Sequence, residues 1–207
     1  MRQAISNVNV TKARFAVADF RGEWQRLIGR PELRGSWLVF GASGSGKTTF
    51  ALQLAKYLSS FGKVAYNSLE QGLSLSFRLG WDRVRMSEAG SNIVLLEKEG
   101  MDDLRYRLAR KRSPDIVIID SLTCLPGFGK KDYVRLVRDF DNKLFVFLAH
   151  VKNGIPDPAI AETVRRLSEV KILVHGFRAY ATSRYTQESG DYTIWAEGAK
   201  KYNIENL

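Results

Sequence analysis

The chain has 207 residues, 44% of them hydrophobic, enough to bury the core of one compact domain, and no Pro/Gly/Ser-rich linker or charge block divides it. With 32 Lys and Arg against 22 Asp and Glu, the net charge of +10 points to an anionic partner larger than a nucleotide, with nucleic acid first among candidates. One cysteine, Cys124, rules out an internal disulfide and cannot by itself make a zinc site; it reads as a small buried hydrophobe.

No apolar stretch approaches membrane-spanning length, and residues 1–10 lack the apolar run of a secretory signal, so a cytoplasmic protein without a membrane partner is expected. Residues 1–20 show no clean periodicity and mix Arg2, Lys12 and Arg14 with small polar residues. They are expected to form an arm or tail able to pack on a neighbour, with 21–207 as a single domain. Pro31 to Gly35 lead into an apolar run at 37–40, the first predicted strand. Phe50, Ala51, Leu54, Ala55, Leu58 and Phe61 then recur at helical spacing over 49–61, and Gly62 follows as a C-cap.

Residues 63–69 read as the second strand with Glu70 at its carboxyl end, and 73–80 as a short helix carrying Leu73, Leu75, Phe77 and Leu79. A third short strand is predicted at 93–96. Over 101–112 the apolar spacing predicts a helix, with Asp102 and Asp103 in its first turn and Arg110, Lys111 and Arg112 in its last; these charges complement the helix dipole, and Pro114 stops it. The run 115–120 is apolar between two acids, the pattern of a strand buried on both faces of a parallel sheet. A helix is expected over 131–140, another buried strand over 144–149 ending at His150, and a helix capped by Asp157 and Pro158 running through Leu167. Residues 170–195 break into short strand-like pieces at Gly176, Phe177, Ser189 and Gly190. The whole predicts an α/β fold, a three-layer α/β/α sandwich with a mainly parallel central sheet and antiparallel strands at its C-terminal edge.

Between the first strand and its helix lies Gly41-Ala42-Ser43-Gly44-Ser45-Gly46-Lys47-Thr48, which fits G-x-x-x-x-G-K-[ST] at every fixed position. A chance match is expected in roughly one chain of this length in a hundred, so a merely flexible Gly/Ser loop is a poor reading. The glycines let successive N–H groups turn onto phosphates, and the loop feeds a helix N-terminus that favours negative charge. Residues 41–49, through Thr49, are therefore assigned to a nucleoside triphosphate, which the resemblance described below makes ATP, with Lys47 on the β and γ phosphates and the Thr48 hydroxyl on Mg²⁺. Asp120 closes a buried strand where α/β sheets place their ligands, and is the second candidate for Mg²⁺. Glu70, ending the strand next in sequence, can polarise a water for attack on the γ-phosphate, which a kinase does not need. Position alone leaves a surface glutamate at a turn as an equal reading.

With the P-loop, the segments V-A-Y-N-S-L-E (64–70), I-V-I-I-D-S-L (116–122) and F-V-F-L-A-H-V (145–151) make the chain resemble the RecA superfamily of P-loop ATPases, in the branch of RadA and the DnaB-type helicases. The likeness covers roughly 35–185. It implies a RecA-type core that forms a ring or filament of identical subunits and hydrolyses ATP between them, acting on DNA beside other replication or recombination proteins. It also implies that Glu70 is the catalytic glutamate and that His150 senses the γ-phosphate. The segment 151–158, with Lys152, then corresponds to a DNA-binding loop whose glycine and prolines suit a hinge. Arg184 matches an arginine that reaches a neighbour's γ-phosphate, with Arg178 or Lys200 and Lys201 as substitutes.

A second candidate DNA loop is 127–131, where Lys130 and Lys131 flank the aromatic Phe128, a combination suited to single strands. Either loop also reads as an ordinary solvated turn. The sequence carries no zinc-binding Cys cluster of bacterial RadA and neither accessory domain of DnaB or RecA, so the resemblance implies a stripped core of the kind phages and mobile elements encode. Two other readings stay open: a small-molecule P-loop kinase with Arg107, Arg110 and Arg112 as lid arginines, and a nucleotide-gated regulatory module. A GTPase is disfavoured, because Asn142-Lys143-Leu144-Phe145 fails the last position of the base-reading motif.

Overall fold

Side-chain alternation along four buried strands decides the architecture. In a computed structural model describing residues 4–152, 154–188 and 190–205, β1 (Gly35–Gly41), β2 (Val64–Ser68), β4 (Ile116–Asp120) and β5 (Leu144–Lys152) sit side by side in parallel, in the order β2-β4-β5-β1. Successive residues on a strand face opposite ways. Trp37, Val39, Tyr66, Ile116, Ile118, Val146 and Leu148 thus pack on one face, against α2 (Gly22–Ile28), α3 (Lys47–Leu58) and α4 (Leu75–Arg83). Their neighbours Leu38, Ala65, Val117, Ile119, Phe145 and Phe147 pack on the other, against α5 (Met101–Leu108), α6 (Lys130–Asp139) and α7 (Ala159–Leu167). These are the three layers expected.

The sheet has nine strands among the described residues. β3 (Ile93–Glu97) adds in parallel to β2, and β7 (Val170–His175) in parallel to β1. β8 (Arg178–Ser183) and β9 (Asp191–Thr193) continue antiparallel, forming the expected C-terminal edge.

Several boundaries moved for local reasons. α3 starts at Lys47 and is capped at Ser59. Gly62 therefore lies beyond the cap and instead fits close to Asp115, whose carboxylate accepts the Lys63 N–H at 2.9 Å. α5 ends at Leu108, four residues early: the chain tightens through Arg110 N–H to Arg107 O and Ser113 N–H to Arg110 O, and Arg112 is left-handed just before Pro114. The helix predicted at 73–80 runs from Leu75 to Arg83, capped by the Ser74 hydroxyl on Phe77 N–H at 3.2 Å. Of its expected apolar side chains only Phe77 is buried; Leu73, Leu75 and Leu79 are exposed.

The 151–158 segment is not a hinged loop. β5 continues to Lys152 and pairs with β6 (Ile155–Asp157) as a hairpin, His150 opposite Asp157 and Lys152 opposite Ile155. Asp157 thus ends a strand, and Pro158 takes the N-cap of α7. Asn153 and Ser189 lie outside the described residues.

α1 (Asn7–Lys12) buries no residue, and the core begins before residue 21: Ala18 is buried and Phe20 is fully buried. The Phe20 ring meets Tyr57 edge-on at 5.0 Å and Trp37 at 6.3 Å. Unforeseen elements are α2, the hairpin strand β6 and the C-terminal α8 (Ala196–Glu205). Because Phe20 anchors this aromatic cluster, Phe20→Ala is expected to lower unfolding free energy in urea by about 3–5 kcal/mol. A loss under about 1 kcal/mol would mean that residues 1–20 are a separable arm after all.

Candidate nucleotide and catalytic site

Parallel pairing aligns the carboxyl ends of the strands. Gly41 lies opposite His150, and Ser68 opposite Asp120. Asp120 and His150 on the strands, and the chain leaving β1 and β2 with Lys47, Thr48 and Glu70, meet at one cleft of about 330 Å³, together with Ser43, Gly44, Gly46 and Thr49. Two residues lining the cleft were not foreseen, Gln71 and Phe177.

The loop is held from behind by the turn between β7 and β8. The Phe177 N–H donates to Ser45 O at 3.3 Å, and the Phe177 ring lies 3.2 Å from where a Cβ on Gly46 would sit. Gly46 itself has φ +101°, and a Cβ on Gly41 would lie 2.2 Å from the Val174 carbonyl oxygen. Glycine is required at both positions, by backbone conformation at one and by close approach at the other. Gly41 and Ala42 are not among the residues that line the cleft. Ser45 turns under the loop, its buried Oγ without a hydrogen-bond partner among the described residues.

Inside the cleft the charges are partly desolvated. Lys47 is buried and donates to Ala42 O at 2.8 Å; burial lowers its pKa, offset in part by the charges of Asp120 and Glu70. Asp120 is buried too. Desolvation raises its pKa, Tyr66 O–H donating at 2.7 Å lowers it, and the Glu70 charge raises it again. Thr48 Oγ1 lies 3.4 Å from Asp120 Oδ2, a hydroxyl facing a carboxylate. One oxygen of Glu70, Oε2, accepts from Ser121 Oγ at 3.3 Å and lies 3.2 Å from His150 Nε2. Oε1 has no partner among the described residues.

The residues fit a nucleotide–Mg²⁺ complex. A buried ammonium with only a loop carbonyl for a partner suits a phosphate, and the Thr48–Asp120 pair presents two hard oxygen donors. No group of three His, Cys, Asp or Glu that could hold a metal exists among the described residues. A divalent ion here would depend on phosphate oxygens and water for its remaining ligands.

Other expected residues stand apart. Lys130 and Lys131 open α6, exposed, but Phe128 is buried and stacks on Phe147 at 6.3 Å, so it is not free to stack on a base. Lys152 is exposed on the hairpin, two residues beyond His150. Arg184 follows β8, whose end pairs with the start of β7; it makes an ion pair with Glu169 at 3.2 Å. That places it at the opposite end of the sheet, roughly 20 Å of strand from its own P-loop. Arg178 pairs with Asp191, and Lys200 and Lys201 lie on α8. Burial pushes the Cys124 thiol pKa up, which suits a packing role. Tyr66, Ser121 and Phe177 gave no sequence signal of their own, since their roles arise from strand register and from a turn 130 residues after the P-loop.

The fold is a three-layer α/β/α sandwich of RecA-like type, with the P-loop sequence at the carboxyl ends of its parallel strands. No protein-family model matches the chain. Over 119 residues it is 28% identical to the DNA repair protein RadA of Streptococcus pneumoniae, covering 57% of this chain and 26% of that protein, so the match spans about a quarter of the relative's length. In structure it is similar to the flagellar accessory protein FlaH from Methanocaldococcus jannaschii, with TM-score 0.59, 13% identity, and coverage of 86% of this chain and 93% of that one. It is also similar to a KaiC-like protein from Pyrococcus horikoshii, with TM-score 0.55, 19% identity, and coverage of 84% and 91%. The RecA-like fold is the one expected from the motifs.

The glycine geometry gives a paired prediction. Gly44→Ala meets nothing within 4 Å and strains only a left-handed backbone, so it is expected to cost about 1–2 kcal/mol. Gly41→Ala forces β1 away from β7 and is expected to cost more. Chemical denaturation of the two variants measures both; equal losses would contradict the close approach at Gly41.

Proposed function

We propose that the chain is a Mg²⁺-dependent ATPase that acts on DNA as a homo-oligomer. The observation that carries this reading is Glu70, fixed through one carboxylate oxygen by His150 and Ser121 while the other stays free, in the cleft that holds Lys47, Thr48 and Asp120.

Lys47 and the loop N–H groups would hold the phosphates, and Thr48 and Asp120 would hold Mg²⁺. Bound there, the ion would neutralise charge on the β and γ phosphates. Glu70 Oε1 would accept the proton of a water aligned on the γ-phosphate, while Oε2 keeps the carboxylate oriented through Ser121 and His150. His150 links this carboxylate to the base of the β5–β6 hairpin, so a change at Glu70 has a direct route to Lys152. Arg184, paired with Glu169 at the far end of the sheet, could reach a γ-phosphate only in another subunit's cleft, where it would stabilise transition-state charge.

DNA as partner rests on the net charge of +10, on exposed Lys130, Lys131 and Lys152, and on the likeness to a protein named for DNA repair. A kinase fits less well. Arg107 is engaged by Glu99, and Arg110 lies over the Tyr106 ring at 4.6 Å; neither lines the phosphate cleft. A regulatory module with slow turnover would share the site and differ in rate and partner.

A second cleft of about 570 Å³ shares Thr49 and Phe177 with the first and is lined also by Arg83, Ile194 and Trp195. We assign this to the nucleoside base, with the rings of Phe177 and Trp195 and the Arg83 guanidinium as stacking surfaces.

Glu70→Gln is expected to cut steady-state ATP turnover by about 100-fold or more with ATP affinity little changed, whereas Lys47→Ala should abolish ATP binding. Turnover surviving both substitutions would overturn the assignment. Single-stranded DNA should bind with an affinity that falls steeply with salt as counterions are released, and Lys152→Ala should reduce the salt slope. Salt-insensitive or absent binding would remove DNA as the partner and leave the ATPase.

A further inference from the structure

Tyr66 puts a polar atom into an apolar core layer. Its side chain is fully buried with the residues of α3 and α4, and its ring packs on Phe77 at 5.5 Å, so a phenylalanine would fill the same space with no hydroxyl to satisfy. A buried hydroxyl is costly unless it is bonded. Its one hydrogen-bond partner among the described residues is Asp120, whose Oδ2 accepts at 2.7 Å. Strand register brings the two together: Tyr66 lies opposite Ile118, so Tyr66 and Asp120, two residues further along β4, face the same side of the sheet. Thr48, in the first turn of α3, reaches the same oxygen at 3.4 Å and can only donate to it. Asp120 Oδ1 has no partner among the described residues, and Asp120 and Thr48 both line the phosphate cleft.

We propose that Tyr66 is a positioning residue that fixes Asp120 and Thr48 so that the cleft selects Mg²⁺ over Ca²⁺. While Oδ2 holds the Tyr66 O–H, the carboxylate cannot turn without leaving the phenol unpaired in the core. The fixed Oδ2 takes the Thr48 hydrogen, which leaves the lone pairs of that hydroxyl, and Asp120 Oδ1, for a cation and its waters. Mg²⁺ demands near-octahedral oxygen ligands at about 2.0–2.1 Å, whereas Ca²⁺ takes a looser shell at about 2.3–2.6 Å. A pair of donors held from behind therefore favours the smaller ion, and a pair released from Tyr66 can follow the larger one.

This inference rests on the phosphate and Mg²⁺ site proposed above, and the test separates the two. A non-hydrolysable ATP analogue is titrated into the wild type and Tyr66→Phe in EDTA, in Mg²⁺ and in Ca²⁺. In EDTA the two chains should bind alike, because Lys47 and its loop are untouched. Mg²⁺ should strengthen binding to the wild type by about tenfold more than binding to Tyr66→Phe, while the effect of Ca²⁺ should differ between the chains by less than about threefold. An equal Mg²⁺ effect in both chains, or parallel losses in all three conditions as a merely structural role would give, overturns the role of Tyr66 and keeps the phosphate site. Binding to the wild type that neither cation strengthens overturns the Mg²⁺ assignment together with Tyr66, and no binding at all overturns the phosphate site as well. If Tyr66→Phe does not fold, Tyr66→3-fluorotyrosine decides, since it keeps the phenol. Its fluorine NMR resonance should shift when Mg²⁺ is added to the analogue-loaded chain; an unmoved resonance contradicts the proposal.

Discussion

The structure depends on the parallel, in-register pairing of β2, β4, β5 and β1. Each strand contributes one chemically useful position at or near its carboxyl end, and register determines that Glu70, Asp120, His150 and the P-loop come together at the same end of the sheet. A slip of one residue would invert every side chain on the strand and exchange the two core faces. The hydrophobic alternation that builds the two helix layers is thus the same constraint that gathers the polar residues, so the core and the cleft cannot vary independently.

The second constraint comes from the antiparallel edge. The turn joining β7 to β8 reaches under the P-loop, where Val174 O, the Phe177 N–H and the Phe177 ring shape the loop before any ligand arrives. The same turn meets Ile194, whose carbonyl holds Gln53, and Trp195, whose ring lies edge-on to Phe177 at 5.1 Å. The two clefts are therefore parts of one packed unit, so a ligand spanning both would meet a site already ordered.

Much of this was legible in the sequence where chemistry and local pattern coincide. The P-loop carries its own fixed spacing, the 115–120 run can only be a buried strand, and Asp120 follows from its end. Glu70 was legible only as one of two readings, because a glutamate after a strand looks alike on a surface turn and in a site; its bonds to Ser121 and His150 are long-range facts. Phe128 misled because its glycine and lysine neighbours mark a loop, whereas its ring turns inward to Phe147. The hairpin after His150 was read as a hinge because glycine and proline signal a turn without saying whether the flanks pair. Phe20 fell in a stretch too irregular to show period, although it completes a cluster with Trp37 and Tyr57.

The central claim is that this cleft directs water, rather than an acceptor metabolite, to the γ-phosphate. Incubating the wild-type chain with ATP and Mg²⁺ in water enriched in heavy oxygen, and analysing the products by mass spectrometry, tests it most directly. The account predicts inorganic phosphate carrying one heavy oxygen per turnover, released with no added acceptor. Nucleotide binding without phosphate release, or label-free phosphate transferred to a small-molecule acceptor, would contradict it.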